Sequence, residues 1–376
     1  MTIIIDLRCL TSGGRSGVEV YTENLLTHLL AIDQQNNYKI FTNSWRQSTY
    51  NFDKWLKYKN VSLHQFHWPN KLLNLSFKLL SWPKIDQWVG GADACFLPNL
   101  NFSAWSKSSR SILTVHDLSF EQDKRFFSVK RRLWHKLVGP KKLCQKVDRI
   151  LAVSGNTKQD LVQKYQINSQ KISIVYSGLK QAIIKSKSGY NRPFKNFILF
   201  LGTLEPRKNL AGLIFAFNLA KTSLLRDVKL VLAGKAGWRF QATSKAYLES
   251  PYKDDIILTG EVSEATKRRL LEAAKVLVYP SWYEGFGFPV LEAAAAGTAV
   301  IASSSSSFPE IAGDFALLVD PSNIMEISQA IKVVYGDEQL RQNMIEEGKL
   351  AVRRFSWQKT AKQTLDILNS SYENRY

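Results

Sequence analysis

The stretch Tyr279-Pro-Ser-Trp-Tyr-Glu-Gly-Phe-Gly-Phe-Pro-Val-Leu-Glu-Ala-Ala-Ala-Ala-Gly297 decides how the chain is read. The apolar run at 276–279 reads as a strand, and two glycines then break the regularity. Pro289 suits a first helical turn because its φ is preset; four alanines sustain the helix and Gly297 ends it. Gly285 and Gly287 let a ligand approach the backbone, and the start of the helix offers free N–H groups to an anion. Glu284 falls in the loop and Glu292 in the first turn of the helix. Taken alone, each glutamate has a bland explanation, as a cap or a charge opposite the helix dipole. Within a strand, glycine loop and helix, a ligand site explains them better.

The same alternation extends outward in both directions. β-rich runs at 3–6, 112–115, 150–153 and 172–176 are separated by helix-length segments such as 18–32 and 157–165. A second series runs through 197–201, 228–232, 256–258, 276–279 and 299–302. Continuous apolar strands between amphipathic helices imply parallel sheets covered on both faces. Two such series predict an α/β protein of two Rossmann-like, doubly wound domains, at 1–190 and 191–356. The polar, aperiodic stretch 180–196 reads as their linker. Residues 357–376 read as a helix that crosses back to the first domain, and the serine run 303–307 reads as a flexible loop.

A chain of 376 residues suits two domains, and 45% hydrophobic with 22% charged residues excludes a disordered or collagen-like protein. Three cysteines, Cys9, Cys95 and Cys144, make neither a disulfide framework nor a metal cluster, which fits a reducing, cytoplasmic compartment. The start, MTIIIDLRCL, lacks the basic region and long apolar core of a signal peptide. No stretch approaches the roughly 20 apolar residues of a membrane span. The charge is uneven. Residues 1–190 hold 28 Lys and Arg against 12 Asp and Glu, a net of +16; residues 191–376 hold 23 against 20, a net of +3. Only the first half is expected to meet an anionic partner.

Glu284 and Glu292 resemble the two ends of the E-x7-E signature of retaining family-4 glycosyltransferases of GT-B fold. Gly202-Thr-Leu-Glu-Pro-Arg-Lys-Asn209 is similar to that family's donor-diphosphate segment, and Gly260-Glu-Val-Ser263, with Val262, to the loop beside the nucleobase. Phe308-Pro-Glu-Ile311 and Gly313-Asp314 match the segment after the signature; Val115-His-Asp-Leu118 and Ala152-Val-Ser154 match strand ends of the first half. The resemblance implies two domains facing across a cleft, the second holding a nucleotide-sugar and the first a glycan or lipid-linked acceptor. It implies no cofactor and no divalent metal. The flavour of the first half resembles bacterial polysaccharide mannosyltransferases, so GDP-mannose is the first expectation for the donor and a UDP-hexose the second.

Within that resemblance the residues take roles. Charge grows on the β-phosphate as the glycosidic bond breaks, and Arg207 and Lys208, just after a strand end, suit those oxygens. Glu292 would bind the ribose and Glu284 the sugar hydroxyls. Gly285, Phe286, Gly287, Phe288, Pro289 and Val290 are the candidate donor-binding loop and first turn. Lys235, after the next strand, is either a further nucleotide contact or solvated surface. In Ser12-Gly-Gly-Arg-Ser-Gly17, Gly14 and Gly17 best match the family's glycine-rich loop. His116 follows a strand at its carboxyl end, where open α/β sheets bind ligands, and would contact the transferred sugar. Ser154 fits the same region or a plain helix cap. A phosphorylase would need a longer chain and a pyridoxal-phosphate lysine. A 2-epimerase lacks this combination, and a non-catalytic binder of anionic surfaces is the rival of another class.

The stretch 124–149 holds ten Lys or Arg against one acid, Asp148, with Val129, Leu133 and Leu137 at helical spacing. Either its apolar face is core and its charges are solvated, or it is an interfacial surface for anionic lipid headgroups. The segment 68–88 adds Leu72, Leu73, Phe77, Leu79, Leu80 and Trp82. No zinc-finger, RRM or KH pattern accompanies the charge, so nucleic acid is not an expected partner.

Overall fold

The computed structural model describes residues 1–12, 16–46, 48, 50–179, 194, 196–222 and 227–373. Among these, seven strands form the first sheet: β1 (Thr2–Asp6), β2 (Asn37–Asn43), β3 (Val61–Phe66), β4 (Ala94–Leu97), β5 (Arg110–Val115), β6 (Arg149–Ala152) and β7 (Ile172–Ile174). Six form the second: β8 (Phe197–Leu201), β9 (Lys229–Ala233), β10 (Ile256–Gly260), β11 (Val276–Tyr279), β12 (Ala299–Ser303) and β13 (Leu317–Val319). The orders are β3-β2-β1-β4-β5-β6-β7 and β10-β9-β8-β11-β12-β13. Every strand pairing is parallel. The central strands are buried throughout, as in Phe197-Ile-Leu-Phe-Leu201, because helices cover both faces.

Both sheets are doubly wound. The strand order reverses between β1 and β4 in the first and between β8 and β11 in the second. Just outside the carboxyl ends of such neighbours, the loops diverge and leave room for a ligand. The segment bearing Arg207 and Lys208 leaves β8, and the one bearing Glu284 leaves β11, so the topology sets them side by side.

The chain divides into two compact units: Met1–Leu118, Lys130–Gly178 and Ser356–Tyr376 in one, Ser119–Val129 and Leu179–Phe355 in the other. The expected first domain, 1–190, is therefore interrupted. Residues 119–129 pack with the second unit because Phe126 and Phe127 are buried against Tyr283, with Phe120 and Trp238 beside them. The Trp238 indole N–H donates to the Phe126 carbonyl at 2.5 Å. These aromatics lie within a basic stretch whose local pattern does not disclose a partner over a hundred residues away. The expected linker, 180–196, lies almost wholly outside the described residues.

Helix Trp357–Glu373 belongs to the first unit. Trp357 is fully buried, its ring 5.8 Å from Tyr21 of helix Gly17–Ile32. Thr360 donates to the Tyr176 carbonyl at 2.7 Å, and Asn36 to Asn369 at 3.3 Å. Gly178 permits this approach, since a Cβ there would lie 2.2 Å from the Trp357 backbone nitrogen.

Candidate active site

At the end of β8, Gly202 takes φ +145, and at the end of β9, Gly234 takes φ +151. A Cβ on Gly234 would lie 1.9 Å from the Gly202 carbonyl oxygen, so only glycine allows these strand ends to meet. A 3-10 turn, Pro206–Lys208, follows; Asn209, at φ +55, closes it and opens helix Leu210–Lys221. Trp282 donates its N–H to the Arg207 carbonyl at 2.9 Å, tying this turn to the loop after β11.

Four charged side chains meet there. Arg207 Nη1 donates to Glu284 Oε2 at 2.8 Å and to the Tyr283 carbonyl at 2.8 Å. Its Nη2 lies 2.9 Å from Glu205 Oε1. Lys208 Nζ pairs with Glu284 Oε1 and donates to the Tyr279 hydroxyl at 2.8 Å. Glu205, Lys208 and Glu284 are all buried. Burial alone would raise the Glu284 pKa, but Arg207 and Lys208 outweigh it and hold the carboxyl below its ordinary value. Burial, with Arg207 beside it, pulls the Lys208 ammonium below its ordinary value. Burial pushes the Tyr279 hydroxyl well up, so it remains a neutral partner.

The serine run expected as a flexible loop instead builds this site. Glu284 donates its backbone N–H to Ser306 Oγ at 2.9 Å, and Ser305 Oγ donates to the Trp282 carbonyl at 3.0 Å. Ser303 and Ser307 are fully buried. Gly285, Phe286 and Gly287 are buried as well. Gly287, at φ +88, precedes helix Phe288–Ala296, and a Cβ on it would lie 2.7 Å from Phe308. Phe286 sits edge-on to Phe288 and Phe355. Phe288 and Pro289 are half-buried, and Val290 is buried.

Glu292 is the fifth residue of helix Phe288–Ala296, beyond the first turn where it was expected. Its Oε1 accepts from Lys267 Nζ at 2.6 Å. Lys267 stands on helix Glu264–Ala273, which Ser263 caps directly after the half-buried Val262. Lys235 is exposed; its carbonyl accepts the Leu204 N–H at 2.9 Å. Gly14 lies outside the described residues. Gly17 is the first residue of helix Gly17–Ile32, where Ser16 and Glu19 form a reciprocal capping box. Ser154 caps helix Gly155–Tyr165 by accepting from the Thr157 N–H at 3.1 Å, the plainer of its two explanations. Glu205, Tyr279 and Lys267 carried no expected role. For Glu205 a signal was present, an acid two residues before Arg207; Lys267 had none.

In the first unit, His116 follows β5 next to the switch point. Its Nε2 lies 2.9 Å from the Pro98 carbonyl, which can only accept, so Nε2 carries the proton. Its ring stands edge-on to Tyr21 at 4.7 Å between centroids. Burial lowers the His116 pKa, so the ring is neutral near pH 7, with the Nδ1 lone pair as its acceptor.

Residues 183–351 match the family model "Glycosyl transferases group 1", and residues 15–181 match "Glycosyltransferase Family 4". The chain is 27% identical over 277 residues to the O-antigen chain mannosyltransferase B of Escherichia coli, covering 71% of this chain and 72% of that protein. It is 28% identical over 247 residues to the serotype-specific mannosyltransferase WbdA of Escherichia coli, covering 61% of this chain but only 30% of that longer protein. In fold it is similar to a sucrose-phosphate synthase from Thermosynechococcus elongatus, with a TM-score of 0.77 and 16% identity, covering 99% of each chain. Two family domains in succession, on two parallel Rossmann-like sheets, make this chain a family-4, group 1 glycosyltransferase of GT-B fold that resembles bacterial mannosyltransferases.

Proposed function

We propose that the protein transfers a hexose, with retention at the anomeric carbon, from a nucleotide-sugar to a glycan or lipid-linked glycan acceptor, and that GDP-mannose is the donor. The observation that supports this reading best is the buried meeting of Arg207, Lys208 and Glu284 at the switch point of the second sheet. The O-antigen mannosyltransferase relatives support the mannosyl group and a polysaccharide acceptor. The bond from the anomeric carbon to the β-phosphate oxygen breaks, and its electron pair leaves with the nucleoside diphosphate. The acceptor hydroxyl attacks from the same face, forms the new glycosidic bond and passes its proton to the departing phosphate. Arg207 and Lys208 stabilise the charge that develops there without a divalent metal, and the helix start at Phe288–Val290 adds its dipole. Glu284 steadies positive charge at the anomeric centre and orients sugar hydroxyls. Glu292 receives the ribose, Val262 lies by the base, and His116 contacts the transferred sugar. Nucleotide-sugars are cytoplasmic metabolites, so we assign the protein to the cytoplasm, and a lipid-linked acceptor would bring it to the inner face of the cell membrane.

Turnover and thermal shift with a panel of nucleotide-sugars test this together. A donor at a hundredfold excess over Kd should add about 2.7 kcal/mol of stability. A larger shift with a UDP-hexose than with GDP-mannose would change the donor and leave the reaction. Lys208→Ala should lower kcat by about 10²–10³-fold, or roughly 3–4 kcal/mol, because the charge it faces is greatest in the transition state. Glu292→Gln should instead raise the donor KM more than it lowers kcat. The proposal fails if Glu284→Gln and Lys208→Ala both keep turnover within about twofold of the unaltered protein, under 0.5 kcal/mol of barrier.

A further inference from the structure

Helix Val129–Val138 buries none of its residues. The apolar face expected to be either core or interface is therefore not core: Val129 is 70% exposed, Leu133 55% and Leu137 46%. Helix Asn70–Leu80 shows the same pattern more sharply. Leu73 and Phe77 are buried and mark its inward side, whereas Leu72, Leu75, Leu79 and Leu80 are exposed, Leu79 at 70% and Leu80 at 71%. Trp82, just beyond it, is also exposed. The helices adjoin at one end, since a Cβ on Gly139 would lie 3.6 Å from Lys78 Nζ. Neither helix contains an acidic residue, and Lys71, Lys78, Lys130, Arg132 and Lys136 are exposed cations on them.

We infer that helices Asn70–Leu80 and Val129–Val138 form one docking face for the anionic headgroups of a lipid bilayer, with the leucines and Trp82 entering the acyl boundary. The inference deepens the reading of a lipid-linked acceptor and rests on that reading for its use, though not for its evidence. Exposed leucines beside lysines and arginines match a bilayer, which offers apolar and anionic layers at one surface. A second copy docked on this face would bring like charges together. A nucleic acid would meet the cations but leave the leucines wet. Among the described residues no helix is long and apolar enough to cross a membrane, so attachment through this face would be peripheral.

The test is co-sedimentation of the full chain with phosphatidylcholine vesicles, alone or containing phosphatidylglycerol, over a salt series. Binding is expected only with the anionic lipid and should fall as salt rises. Arg132→Glu with Lys136→Glu should weaken it about tenfold or more. Leu75→Ser with Leu79→Ser should weaken it comparably, with melting temperature and donor turnover on a soluble acceptor unchanged. Equal binding to neutral vesicles overturns the inference, as does unaltered binding by the leucine pair. A dimer in sedimentation velocity that the leucine pair dissolves, or tighter binding to duplex RNA than to vesicles, also overturns it. Should a variant fail to fold, the lipid and salt dependence of the unaltered protein decides. Vesicle binding needs no donor, so its failure and the failure of donor turnover are separate results.

Discussion

At the scale of single residues, charge compensation governs the site. Glu284 is buried, yet it stays ionised because two cations touch it, and each of those cations depends on Glu284 in turn. His116 shows the opposite case, a ring whose burial outweighs its hydrogen bond to the Pro98 carbonyl and the nearby Asp117 and Glu19, and so favours the neutral form. Its lowered pKa has a definite sign. As pH falls through the ordinary histidine value of about 6.5, the unfolded chain takes up a proton that the folded ring refuses, so stability declines from there downward. Activity that needs the Nδ1 lone pair should stay level across that pH and fall only below it. A pH profile of kcat/KM checks this. An inflection at or above the ordinary value, or an acid limb that persists in His116→Gln, would count against the role.

At the scale of elements, the site is a property of strand ends. β8 and β11 are neighbours, so the segments following them run side by side, and the serine run after β12 supplies the hydroxyl that holds the Glu284 backbone. Gly202 and Gly234 let β8, β9 and their loops close to backbone contact. Gly234→Ala should therefore cost about 3 kcal/mol or more, since it adds a left-handed φ for an L side chain to a clash with backbone that cannot rotate away. Urea denaturation reads this directly. A midpoint unchanged from the unaltered protein would show that the loop moves freely, and the ion cluster would then lack a rigid support.

At the scale of the whole molecule, segments distant in sequence complete each unit. Residues 119–129 join the second through Phe126 and Phe127, and 356–376 join the first through Trp357. Trp357→Ala removes the largest buried side chain of the final helix and should cost about 3–5 kcal/mol. A thermal melt would record it. If the loss stayed below about 1 kcal/mol, the helix would be an accessory to the first unit instead of part of its core.

The sequence by itself determined the class of this protein. Strand runs, helix starts and glycine breaks are local signals, and 197–201 and 276–279 coincide with β8 and β11. The E-x7-E spacing and the Arg207-Lys208 pair were legible for the same reason, being short and contiguous. Strands β2, β3, β4 and β13 were not expected. β3 has no buried residue at its sheet edge, β4 is only four residues long between Asp93 and Pro98, and β13 is only three. Only the tertiary structure decided which charges touch. Arg207 meets Glu284 across 77 residues of sequence and Lys267 meets Glu292 across 25, contacts set by strand order that no local period encodes. It also excluded one explanation of helix Val129–Val138, an apolar face buried in the core, because an amphipathic pattern says that one face is apolar but not what lies against it. Burial is a relation between distant segments, and among the described residues none covers that face.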